Sequence, residues 1–172
     1  TDQKWKVIKE GILFGSDEDR VNGTLFSKNQ NMEIPINLRL KGDWTDHLRG
    51  DKWSFRIKVR QENAWNLMQT FSVQSPVTRG YLKEWFFHKL LATEDILSPR
   101  YDFIELELNE KALGVYAFEE HFDKHLPESQ QRREGPILKL TEDLFWLGMK
   151  REFALQPGGS GIYKNADNAF EG

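Results

Sequence analysis

Ile34-Pro35-Ile36-Asn37-Leu38-Arg39-Leu40-Lys41 and Trp53-Ser54-Phe55-Arg56-Ile57-Lys58-Val59-Arg60 are the two stretches from which the fold can be read. In each, apolar and polar residues alternate one for one, the period of a strand with a single buried face. The segment between them is polar and carries Gly42 and Gly50. The two stretches are therefore expected to form an antiparallel hairpin with a long loop. Its cations Arg39, Lys41, Arg56, Lys58 and Arg60 should lie on the face opposite the apolar residues.

Working outward, Phe71 to Gln74 is a short strand candidate. Ser75-Pro76 then reads as a helix start, with Ser at the N-cap and Pro in the first turn. The helix is expected to run to about Leu91. Leu82, Phe86 and Leu90 form one stripe, widened by Tyr81, Trp85 and Phe87, which predicts burial against the sheet. Phe103 to Asn109 alternates again and predicts a strand, Asn109 to Ala112 a turn, and Leu113 to Phe118 a returning strand. Glu119 to Leu126 is expected to be a short helix or a connector, and Gln130 to Gly135 a charged loop. Asn22-Gly23 is read as a hairpin turn. Trp5 to Phe14 could be helix or strand, Ile137 to Leu140 a strand, and Leu144 to Met149 a helical turn.

The fold class expected is α+β, an antiparallel sheet with a packed amphipathic helix. Residues 1–155 are read as one domain, and the Gly-rich stretch 156–172 as a loop or flexible tail. The 172 residues suit one domain, and twelve Phe with six Trp can fill a core. A net charge of −3 gives no overall pull toward nucleic acid or anionic membrane. The absence of cysteine excludes disulfides and thiolate chemistry. No apolar run approaches the roughly 20 residues that span a bilayer. The chain opens on Thr1 rather than Met, and upstream sequence is expected to have been removed.

Clustered cations suit phosphate, whose oxygens accept charge-assisted hydrogen bonds. The bland reading is a solvated sheet face whose cations pair with Glu105 and Glu107 across strands. His121 and His125 are four apart and would share a helix face, as in some zinc sites, but no third ligand is identifiable. They are read as surface or strand-end histidines, with no metal site assigned.

Three stretches taken in order resemble the spore coat protein H (CotH) kinase family. They are Arg39-Leu40-Lys41-Gly42 with Lys52-Trp53-Ser54-Phe55-Arg56-Ile57-Lys58, then Ser75 to Leu91, then Leu108-Asn109 with Leu113-Gly114-Val115-Tyr116-Ala117-Phe118-Glu119-Glu120. The resemblance implies the small lobe and the start of the large lobe of a divergent protein-kinase-like fold. It implies binding of ATP with Mg²⁺ and phosphoryl transfer to protein serine. Carried over by position, Arg39, Lys41 and Lys58 would lie near the nucleotide phosphates, with Arg56 on the same face. Arg79 would occupy the family's helix arginine position, and Tyr116, Glu119 and Glu120 the connector between lobes.

The family's metal-binding and catalytic aspartates belong to a later segment. Asp143 and Asp167 are poor substitutes, since neither sits in an apolar strand–loop context. The chain is therefore expected to be the front part of a longer protein, inactive alone. Two other functions stay open: a noncatalytic interaction module of a cell-surface or coat assembly, and a polyanion-binding domain.

Overall fold

The computed structural model describes residues 20–42, 45–48, 50–61 and 63–133, with single positions 135, 136, 138 and 148 after them. The expectations for Trp5 to Phe14 and the tail fall outside the described residues, as do those for Ile137 to Leu140 and Leu144 to Met149 apart from the single positions 138 and 148. Six strands make one antiparallel sheet: β1 (Val21–Ser27), β2 (Met32–Leu40), β3 (Phe55–Val59), β4 (Thr70–Gln74), β5 (Tyr101–Leu108) and β6 (Lys111–Glu120). Their spatial order is β1-β2-β3-β4-β6-β5. Helix α1 (Leu82–Thr93) connects β4 to β5, and the short α2 (His125–Ser129) follows β6. No described helix is long and apolar enough to cross a membrane.

The alternating stretches become β2 and β3 and pair antiparallel, with Leu38 opposite Ile57 and Arg39 opposite Arg56. One sheet face carries Ile34, Ile36, Ile57, Val59, Phe71, Val73 and Tyr116, all buried. The segment before β4 folds over this face and supplies Trp65 and Met68. Trp65 meets Phe71 at 4.7 Å and Phe118 edge-on at 5.4 Å, geometries that add to plain burial. Glu120 also belongs to this side. It is 3% exposed, and Arg100 clamps it with Nε at 2.9 Å and Nη2 at 2.7 Å.

Asn22-Gly23 does not turn. Both residues lie inside β1, and the β1–β2 turn is made by residues 28–31, where Asn31 takes a φ of 48°. Gly23 sits opposite Ile36, where a Cβ would come within 3.1 Å of Leu38, so the missing side chain makes room for the neighbouring strand.

The helix also differs from its expectation. Pro76–Arg79 is a 3₁₀ turn, and α1 begins only at Leu82. Between them Gly80 and Tyr81 adopt φ values of 64° and 60°, which breaks one helix into two pieces. Left-handed backbone suits Gly, which has no Cβ to clash. The stripe Leu82, Phe86 and Leu90 is exposed, not buried against the sheet. The helix touches the sheet on its other side, where the His88 ring stacks on Tyr101 of β5 at 5.5 Å. His88 Nδ1 also lies 2.6 Å from Ser98 Oγ.

Candidate functional site

Strand pairing places Arg39 opposite Arg56, Arg56 opposite Ser72, Ser72 opposite Glu119, and Glu119 opposite Tyr101. These five residues form one row across β2, β3, β4, β6 and β5, on the face opposite the apolar core. Side chains two residues away along a strand share that face. Lys41, Lys58, Gln74 and His121 are therefore on it too.

The centre of the face is a buried ion pair. Lys41, just past the end of β2, donates to Glu119 of β6 at 2.7 Å and to Gln74 of β4 at 2.8 Å. Gln74 Nε2 lies 3.3 Å from the same Glu119 oxygen. Lys41 is 8% exposed and Gln74 is fully buried. Burial pulls the Lys41 ammonium below its ordinary pKa, against the opposing pull of Glu119, and the Arg56 and Arg79 charges add to the lowering. For Glu119, burial disfavours the charge. The Lys41 ammonium, its hydrogen bond, and the Arg79 and Arg56 charges overcome that and hold the carboxyl below its ordinary value.

Arg56 Nη1 lies 3.0 Å from His121 Nδ1. Arg39 Nη1 donates to the Leu40 carbonyl at 3.1 Å. Lys58 is exposed at the edge of the cluster, opposite Asn37 and Thr70. Arg79 sits in the 3₁₀ turn close enough to act on both members of the ion pair. The structure thus brings Arg39, Lys41, Arg56, Lys58, Arg79 and Glu119 to one side of the sheet.

Tyr116 and Glu120 lie on the other side, in or beside the core. Tyr116 is fully buried, with the Lys52 ammonium 5.7 Å from its ring centroid. Glu105 and Glu107 do not meet the cations of β2 and β3. Their strand β5 is the far edge of the sheet, separated from β3 by β6 and β4. Glu107 instead pairs with Lys28 at 3.5 Å. The histidines are apart in structure, since His121 follows β6 while His125 opens α2 and reaches Glu128. They share no helix face.

Two contributors escaped the sequence reading. Gln74 and Tyr101 carry no motif. The alternation in Phe71-Ser72-Val73-Gln74 was the available signal, since it puts Ser72 and Gln74 on the face of Arg39 and Arg56.

A loop borders the site between β2 and β3. The Lys41 amide donates to the Ser54 carbonyl at 2.9 Å, the Ser54 amide to the His47 carbonyl at 2.9 Å, and His47 Nδ1 lies 2.9 Å from Ser54 Oγ. These contacts tie the Lys41 amide to Ser54, and Ser54 to His47, and so help fix where the Lys41 side chain starts.

No curated protein matches the chain. Residues 38–166 match the family described as CotH kinase protein. That span contains the charged residues of the polar face, from Arg39 to His121, and covers most of the sequence. The chain belongs to the CotH kinase protein family.

Proposed function

We propose that this chain is the nucleotide-binding part of a CotH-like protein kinase, which takes ATP with Mg²⁺ and passes its γ-phosphoryl group to protein serine. The observation that carries the reading is the polar face centred on the buried Lys41–Glu119 pair. Phosphoryl transfer asks the protein for positioning and charge stabilisation more than for covalent chemistry. In protein kinases a strand lysine reaches the phosphates and an acidic partner holds it in place. Lys41 and Glu119 suit those two parts, with the difference that Glu119 comes from a strand end and not from a helix. Arg39, Arg56, Lys58 and Arg79 surround the pair and can neutralise further phosphate charge. The connection β4–α1–β5–β6, with β4 beside β6, suits the small lobe of a kinase-like fold.

The cations of this face suit phosphate; the described residues offer no matching place for the metal. Among the described residues no three His, Asp or Glu side chains converge on a metal-sized site. Glu119 is already engaged by Lys41. Asp143 and Asp167 fall outside the described residues. No step of the reaction is therefore assigned to Mg²⁺ in this part of the chain.

Isothermal titration of ATP and Mg²⁺ into the chain tests the reading. Saturable heat is expected, with affinity reduced about tenfold or more in Lys41→Met and in Arg56→Ala, the loss of one charge-assisted contact each. A wild-type chain that gives no heat overturns it. A noncatalytic interaction role would draw instead on the exposed stripe of α1, and it predicts silence in the same titration.

A further inference from the structure

We propose that Gln74 is a positioning residue, which holds the Lys41 ammonium and the Glu119 carboxylate in one geometry so that the ammonium keeps a free N–H for a phosphate oxygen. This rests on the nucleotide-binding reading above. Gln74 is the last residue of β4 and is fully buried. Its amide bridges the pair, accepting from Lys41 at 2.8 Å and facing Glu119 at 3.3 Å. The orientation of the amide is forced. An ammonium has only donors and a carboxylate only acceptors, so the amide oxygen must face Lys41 and the amide nitrogen must face Glu119.

The ammonium carries three donors. Gln74 and Glu119 take two of them. Among the described residues no third acceptor meets the ammonium, which leaves one N–H for a ligand oxygen. Two fixed acceptors also restrict rotation about the Lys41 stem, and a flexible ammonium on four carbons gains most from such restraint. The groups facing Lys41 come from several elements: Arg56 from β3, Glu119 from β6 and Arg79 from the 3₁₀ turn. Tyr101 of β5 is in turn acted on by Gln74 and by the Glu84, Glu119 and Arg79 charges. Gln74 is the neutral member, and it satisfies both charges without adding a third.

Gln74 also joins the pair to the approach of α1. The next residue, Ser75, gives its carbonyl to the Thr78 amide at 3.1 Å and to Thr78 Oγ1 at 2.8 Å. The turn that leads into α1 is thus anchored one residue from the bridging amide.

The test uses the chain without nucleotide. Lys41 is labelled with acetic anhydride across a pH series and its modification is read by peptide mass spectrometry, in wild type, Gln74→Leu and Gln74→Glu. Gln74→Leu removes an acceptor from the charged form, so Lys41 should become reactive at lower pH. Gln74→Glu adds a negative acceptor, so reactivity should move to higher pH. ATP affinity, titrated separately, should fall about tenfold in Gln74→Leu. A folded Gln74→Leu with the wild-type Lys41 profile overturns the proposal. If that variant fails to fold, an unmoved profile in Gln74→Glu overturns it equally. Shifted profiles in a chain that binds no ATP would support the positioning role while defeating the nucleotide reading.

Discussion

Lys41 and Glu119 are 78 positions apart in the chain and 2.7 Å apart in space. Both are more acidic than usual, and both shifts make stability rise with pH. Glu119 shows this in acid. Its folded carboxyl titrates below the ordinary value of 4.5. Its contribution is therefore complete above that value and disappears as pH falls through the folded one. Urea denaturation at several pH values should show an acid loss in wild type that is shallower in Glu119→Gln. The variant should also be less stable near neutrality, because Lys41 is left buried without its counter-charge. An unchanged acid slope would mean that other carboxylates account for it. Tyr116 acts with the opposite sign at the alkaline end. Burial, followed by the Asp51 charge, pushes its hydroxyl up to about 12. Below pH 10 the phenol is neutral in both states; above it the unfolded chain ionises first, so stability falls between 10 and about 12. The hydroxyl is buried with no hydrogen-bond partner among the described residues. Tyr116→Phe should therefore match or exceed wild type at neutral pH and lose less stability in alkali, as read from denaturant midpoints.

Among the elements, the loop between β2 and β3 is tightly held at its first glycine. Gly42 has a φ of 117°, and a Cβ there would sit 2.8 Å from His47 Cβ. Gly42→Ala should cost about 2 kcal/mol or more, combining a left-handed penalty with a clash. It should also disturb Lys41, its neighbour, and so weaken the ATP binding proposed above; an alanine variant of wild-type stability would contradict the loop geometry. Helix α1 shows where element-level reading misleads. The stripe of Leu82, Phe86 and Leu90 has helical spacing, and the helix does form, but the stripe is exposed. Spacing reports that one side of a helix is apolar. It does not report which neighbour that side meets. The helix is held to the sheet by His88 on Tyr101, an aromatic contact between residues with no local sequence relation.

Across the whole molecule, the sheet order puts β2, β3, β4 and β6 inside and β1 and β5 at the edges. Strand β4 is buried on both faces, by Phe71 and Val73 on one and Ser72 and Gln74 on the other. Native-state hydrogen exchange should therefore be slowest for amides of β2, β3, β4 and β6 and fastest in β1, whose Val21 and Phe26 are exposed. Strongest protection in β1 would contradict this order. The same arrangement separates the two sides of the molecule. One face carries the core with the Arg100–Glu120 clamp, and the other carries the Lys41–Glu119 pair.

Strands β2, β3 and β5 were legible in the sequence because a one-for-one alternation has few other physical readings, whereas β1, which holds Asn22-Gly23, was not. β2 and β3 therefore appear where it put them, with Arg39, Arg56 and Lys58 on a common side. The order of the three resembling stretches was equally a property of the sequence, and the family match over 38–166 agrees with it. What the sequence left open was partnership across distance. Adjacent Glu119 and Glu120 differ by one step along a strand, so they point to opposite faces and meet Lys41 and Arg100 respectively. Gln74 gained its place between two charges only when β4 settled between β3 and β6. Alternation assigns a side chain to a face; the sheet order and register then decide what it touches.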